Sequence, residues 1–221
     1  MELYTTITSF FQDGGAFMIP IALVLFIGLA IAIERWFFLG RSLSQNQKVY
    51  KEILPMIRES RYEKVADFTK ANKAPLSRIV EAALDAMNVS PRREDIHFAM
   101  QEGVMETMPR LSKRTNYLAI LANVATLLGL LGTIVGLIAA FTAVANADPA
   151  DKATLLSQSI SVAMNTTAFG LVAAIPLLLI HSYLQNKTVE IVESIEMAGV
   201  KFLNAMVRAS NVKIAARQTD A

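Results

Sequence analysis

The sequence predicts an all-α membrane protein with three transmembrane helices, two of them extended into a cytoplasmic helical bundle. Three observations carry this. Residues 17–39, 117–145 and 158–184 are apolar over stretches longer than the roughly 20 helical residues that cross a hydrocarbon core. Hydrophobic residues make up 53% of the 221-residue chain and mean hydropathy is +0.41, too apolar for an ordinary water-soluble domain. Lys and Arg are also shared very unequally among the connecting segments.

Residues 1–16 contain no Lys or Arg, only Glu2 and Asp13. The first span, 17–39, reads FMIPIALVLFIGLAIAIERWFFL. It is too long for the core of a secretion signal, no basic residue precedes it, and it lacks a clear small-x-small cleavage site, so it is expected to be a retained helix. At its inner end Glu34, Arg35 and Trp36 are expected to anchor at the membrane interface, the charged pair by snorkelling and the indole in the aromatic belt.

Residues 40–116 hold fourteen of the chain's 21 basic residues, whereas 146–157 hold only Lys152. Because Lys and Arg collect on the cytoplasmic side of an inner membrane, 1–16 and 146–157 are expected outside, with 40–116 and 185–221 in the cytoplasm. Apolar residues at three- and four-residue spacing predict helices over 42–59, 62–70, 74–87 and 93–116. Turns are expected at 72–75 and 88–91, with Ser90 as N-cap and Pro91 at N1 of the longest helix. Nothing in the pattern breaks that helix before the second span, although Pro109 can kink it. The third span likewise runs on through 187–209, and the periodicity fades from Ser210, predicting a loose tail.

Charges of both signs alternate along 40–116 and the net charge is only +2, which gives no basis for nucleic-acid binding. With no cysteine there are no disulfides and no thiolate chemistry. No nucleophile–base set, phosphate-cradling loop or metal-spaced cluster is present, so the chain is not read as an enzyme and carries no cofactor.

The informative residues are polar ones at membrane depth. The second span contains LLGLLGTIVGLIAAF (127–141), where Gly129, Gly132 and Gly136 form a small-residue stripe for close helix packing and Thr133 lies beside it. One reading of Thr133 is a bond to the carbonyl of Gly129 in its own helix; the other is a hydroxyl facing a partner. In the third span Ser161 and Asn165 share a face, Thr166 and Thr167 lie beside them, and Gly170 and Ala174 supply small residues. Asn165 is the costliest to bury, because its amide has two donors and an acceptor to satisfy. These groups mark a helix interface or a hydrated path. Between Tyr117 and Leu184 the only acidic residues are Asp148 and Asp151, both in the connecting loop. If a cation crosses here, its carboxylate comes from another polypeptide.

On IERW (33–36), LLGLLGTIVGLIAAF and TAFGLVAAIP (167–176), the chain resembles the ExbB/TolQ/MotA family, and within it the three-span ExbB/TolQ branch. The resemblance implies a homopentamer around a central pore in the inner membrane of a Gram-negative bacterium. In that pore two helices from a dimer of an ExbD/TolR-like single-span partner supply the ion-binding aspartate. It implies that proton or sodium flow drives mechanical work on a TonB/TolA-like periplasm-spanning protein. The family's pore-facing threonines fall on Thr133 and Thr167. The family's usual acidic residue five positions before the second threonine is Val162 here, so its relay role does not carry over, and the coupling ion, proton or sodium, stays open. A non-conducting scaffold is the alternative.

Overall fold

A computed structural model describes residues 14–219, with side chains as far as 208. Most of the expected outer N-terminal segment (1–13) and the last two residues lie outside the described range. Six helices follow in order: α1 (Met18–Arg58), α2 (Tyr62–Ala71), α3 (Pro75–Val89), α4 (Arg93–Ser112), α5 (Thr115–Ala145) and α6 (Lys152–Thr219). Every regular element among the described residues is helical. Three stretches are long and apolar enough to cross a membrane, within Met18–Arg58, Arg93–Ala145 and Lys152–Arg208.

The chain divides into two units, one of residues 1–35 and 114–183, the other of 36–113 and 184–221. In the first, α5 and α6 are antiparallel: Gly136 meets Ala163 while Gly129 meets Gly170. α1 runs parallel to α6, with Gly28 against Leu177 and Gly15 near Val162. The contacts use small residues, and large apolar side chains point outward: Phe26 is 73% exposed, Leu127 63% and Phe141 65%. So much exposed hydrocarbon on a chain surface is stable only when lipid or protein covers it.

The second unit has a conventional interior. α3 buries Leu76, Ile79, Val80, Ala83 and Leu84, and α4 comes close enough that a Cβ on Gly103 would lie 3.3 Å from the Ile79 Cα. Val49, Ile53 and Ile57 of α1 and Ile191, Ile195 and Phe202 of α6 are buried in the same unit. Pro75 opens α3 at its first position, where its missing N–H costs nothing. The adjacent Leu76 N–H is taken by the Asn46 Oδ1 of α1 at 3.1 Å.

Four details depart from expectation. The first span continues as one helix to Arg58, so α1 and α6 are the uninterrupted pair, whereas the second span is set off from α4 by a turn at Lys113 and Arg114. Pro109 lies inside α4 and removes the bond to the Met105 carbonyl, but the helix passes it and ends where the Lys113 N–H reaches the Pro109 carbonyl. The N-cap of α4 is Arg92, not Ser90, whose hydroxyl instead bonds the Asp95 carboxylate. The loop after α5 is short, since α6 already begins at Lys152. The backbone also stays helical past Ser210 to Thr219, because Ala, Lys, Arg and Gln favour helix without any apolar stripe.

Candidate functional site

The α5–α6 contact is tightest where glycine faces glycine. A Cβ on Gly170 would lie 2.8 Å from the Ala125 carbonyl oxygen and 3.0 Å from the Gly129 Cα. Both obstacles are backbone, so the position demands glycine. A Cβ on Gly129 would lie 3.2 Å from the Thr166 oxygen and from the Cα atoms of Thr167 and Gly170. Gly132 packs on the Thr166 side chain, Gly136 on Ala163, and Ala174 is 2% exposed.

This approach brings two hydroxyls together. The Thr133 and Thr167 oxygens are 2.6 Å apart, and both residues are half-buried. Thr167 also lies 2.9 Å from the Gly129 carbonyl, and Thr133 lies 2.9 Å from that of Leu130 and 3.2 Å from that of Gly129. The Thr133 hydroxyl thus lies within reach of its own helix's carbonyls and of a hydroxyl on α6. Two hydroxyl protons serve these contacts, and they can be arranged in two ways. In one, Thr133 donates to Thr167 and Thr167 to Gly129; in the other, Thr167 donates to Thr133 and Thr133 to Leu130. Either way the oxygens keep lone pairs that can accept from water or ligate a hard cation.

The three consecutive polar residues of α6 separate. Thr166 is 2% exposed, and its hydroxyl is 2.7 Å from the Gly14 carbonyl and 2.9 Å from that of Val162, so it secures the segment entering α1. Asn165 is half-buried and Ser161 exposed, about 160° and 120° around the helix from Thr167 at 3.6 residues per turn. Neither joins the Thr133–Thr167 pair. Val162 is half-buried beside Gly15.

At the other end of α1, Arg35 does not reach outward as an anchor: it is 3% exposed. It turns into the helix packing, 3.7 Å from the Glu34 carboxylate, which also lies 3.3 Å from Arg114. Glu34 keeps 42% of its side-chain surface, and Trp36 is 57% exposed. The link between Glu34 and the turn before α5 escaped the sequence reading. Its only trace is an arginine five residues past Pro109.

Residues 71–197 match the model of the MotA/TolQ/ExbB proton channel family, more than half of the chain and inclusive of both hydroxyls and every glycine of the contact. This chain belongs to that family. Among members of the MotA/TolQ/ExbB family it is similar to the ExbB-like 1 protein of Synechocystis, whose name places it in biopolymer transport. The two are 30% identical over 176 residues, 79% of this chain and 68% of the relative. An ExbB homolog of Methanothermobacter thermautotrophicus is 28% identical over 204 residues, 89% of this chain and 69% of the relative. The ExbB biopolymer transport protein of Pseudomonas putida is 27% identical over 171 residues, 72% of this chain and 52% of the relative. The family is one of channel and transport components, and the chain is a multi-pass membrane member of it.

Proposed function

We propose that the chain is the pore-forming subunit of an ion-driven inner-membrane motor of the ExbB/TolQ type. Five copies surround a pore, and an ExbD/TolR-like single-span dimer within it supplies the carboxylate that this chain lacks at depth. The N-terminus faces the periplasm and the C-terminus the cytoplasm, in keeping with the distribution of Lys and Arg. Proton or sodium flow turns the pentamer around the partner, and the motion is passed to a TonB/TolA-like protein.

The observation that carries this reading is the Thr133–Thr167 pair, two hydroxyls 2.6 Å apart on glycine-packed spans, 117–145 and 158–184, that hold no acid. A shared-proton pair of this kind can hand a hydrogen bond to a passing water chain or offer two oxygens to sodium, and it needs a neighbouring carboxylate to load the ion. The test is ion flux in vesicles reconstituted with the partner subunit. Thr133→Val and Thr167→Val keep side-chain shape and remove the oxygen, and each is expected to lower flux at least tenfold. Full flux in both variants would show that the pair does not line the path. No flux in the unsubstituted complex under either a proton or a sodium gradient would favour a scaffold that assembles an envelope complex without conducting.

A further inference from the structure

We infer that one face of α6, running from the loop at 146–151 down to Asn165, is a water-lined approach by which the cation reaches the depth of the Thr133–Thr167 pair. The inference rests on the pore reading above and adds the approach to it. At 3.6 residues per turn, Ser157, Ser161, Thr154, Asn165 and Gln158 lie about 80°, 120°, 140°, 160° and 180° around α6 from Thr167. Between 151 and 168 the one other residue in that arc is Ala168, so no large apolar side chain interrupts it. Met164, at about 60°, marks its edge. From Thr154 to Asn165 the polar residues span about 16 Å along the axis, and Asn165 stands only about 3 Å along it from Thr167, level with the hydroxyl pair. The same arc then turns apolar: Val172, Ile175 and Leu179 follow on it, 61%, 54% and 68% exposed. At its other end it opens on the loop, where Asp148 and Asp151 are exposed.

This face lies away from the packing of the unit. The contacts of α6 with the glycines of α5 and α1, and with Gly14 and Gly15 before α1, run through Val162, Ala163, Thr166, Thr167, Gly170 and Leu177. These residues fall between about 220° and 360°, outside the polar arc. Thr154, Ser157, Gln158 and Ser161 are exposed and Asn165 is half-buried. Thr126, Thr142 and Thr188 each return their hydroxyl to the carbonyl four residues back, which lowers their cost in an apolar setting. The polar arc makes no such return: among the described residues no hydrogen bond engages the side chains of Thr154, Ser157, Gln158, Ser161 or Asn165. Three turns of unpartnered hydroxyls and amides are strongly disfavoured against hydrocarbon. Water is the occupant that fits. The arc is continuous with the exposed carboxylates of the loop, its side chains are short and uncharged, and it stops at the depth where the ion meets the pair.

The chain contains no cysteine, so single cysteines report without background. Gln158→Cys, Ser161→Cys and Asn165→Cys are made in the full chain and reconstituted with the partner subunit. A membrane-impermeant trimethylammonium methanethiosulfonate is added on the side from which Pro149→Cys reacts; it attacks the thiolate, which forms where water reaches the thiol. Ile160→Cys, at similar depth outside the arc, and Val172→Cys, on the arc below its polar part, are the controls. Residues 158, 161 and 165 are expected to react at least tenfold faster than 160 and 172, with flux falling several-fold on modification at 161 or 165 and recovering after reduction. Asn165→Leu is expected to cut flux several-fold at unchanged oligomer mass, and Asn165→Ser to keep most of it. The inference is overturned if Ser161→Cys and Asn165→Cys react no faster than Ile160→Cys, or if Asn165→Leu conducts fully. It is overturned as well if Ser161→Cys forms disulfides between neighbouring copies on oxidation, which places a second copy on this face. In each of these cases a loss of flux in Thr133→Val leaves the pore reading standing. Full flux in both Thr133→Val and Thr167→Val removes that reading, and this inference with it.

Discussion

Thr133 and Thr167 illustrate how backbone geometry decides side-chain chemistry. Their oxygens can approach to 2.6 Å only because Gly129 and Gly170 let the two helix backbones close up. Gly170→Ala is therefore expected to be more harmful than a lost methylene elsewhere: the added Cβ meets two backbone atoms that cannot rotate away. Overpacking of this kind costs about 1–3 kcal/mol, measurable as a lower unfolding midpoint in detergent. The same separation of helices would lengthen the hydroxyl contact, so Gly170→Ala should also lower ion flux without touching either oxygen. Thr166→Val should act differently, since its hydroxyl secures Gly14. The expected loss is about 0.6 kcal/mol of stability, the average for such a bond in a membrane protein, with flux largely kept.

At the scale of elements, the informative feature is the interruption at Lys113 and Arg114. α1 and α6 are uninterrupted while α4 and α5 are set off from each other. Pro109→Ala would restore the N–H that bonds the Met105 carbonyl inside α4 while leaving the turn at Lys113 and Arg114 in place. Hydrogen exchange at the amides of residues 106–112 is expected to slow in that variant, with little change at 114–116. Glu34 holds the same turn through Arg114, but that pair is more than one-third exposed on both sides, so Glu34→Gln should cost no more than about 1 kcal/mol through it. Polar anchoring recurs elsewhere. Asn46 closes the first turn of α3 from across the unit, and Asn46→Leu would leave the Leu76 N–H buried without an acceptor, at about 1–3 kcal/mol. Thermal unfolding of the detergent-purified chain checks both values.

At the scale of the whole molecule, the two units follow different solvent rules. Residues 36–113 and 184–208 gather a larger share of their big apolar side chains inside, although Phe37, Phe98 and Met105 stay exposed, whereas 14–35 and 114–183 pack on glycine and alanine beside a few buried large residues such as Ile21 and Leu177 and expose most of the rest. The orientation proposed from Lys and Arg is open to direct test in the cysteine-free chain. Pro149→Cys in intact cells is expected to react with a membrane-impermeant thiol reagent. Lys73→Cys should react only after the membrane is opened, and the reverse pattern would invert the topology.

Much of this was legible in the sequence. The three apolar spans, the small-residue stripe and the polar residues at depth follow from periodicity and from the cost of polar groups in lipid, whereas the choice of Thr133 and Thr167 among those residues came from the family resemblance. Those signals are local, and local physics sets helix type and span length. What only tertiary structure decided is which residues meet. Three adjacent polar residues of α6 point in three directions, so that Thr167 pairs with Thr133, Thr166 secures Gly14 and Asn165 joins neither. Arg35, expected at the headgroups, is buried beside Glu34. A helix turns about 100° per residue, so the composition of a polar cluster says nothing of its facing until a second backbone arrives to choose a side.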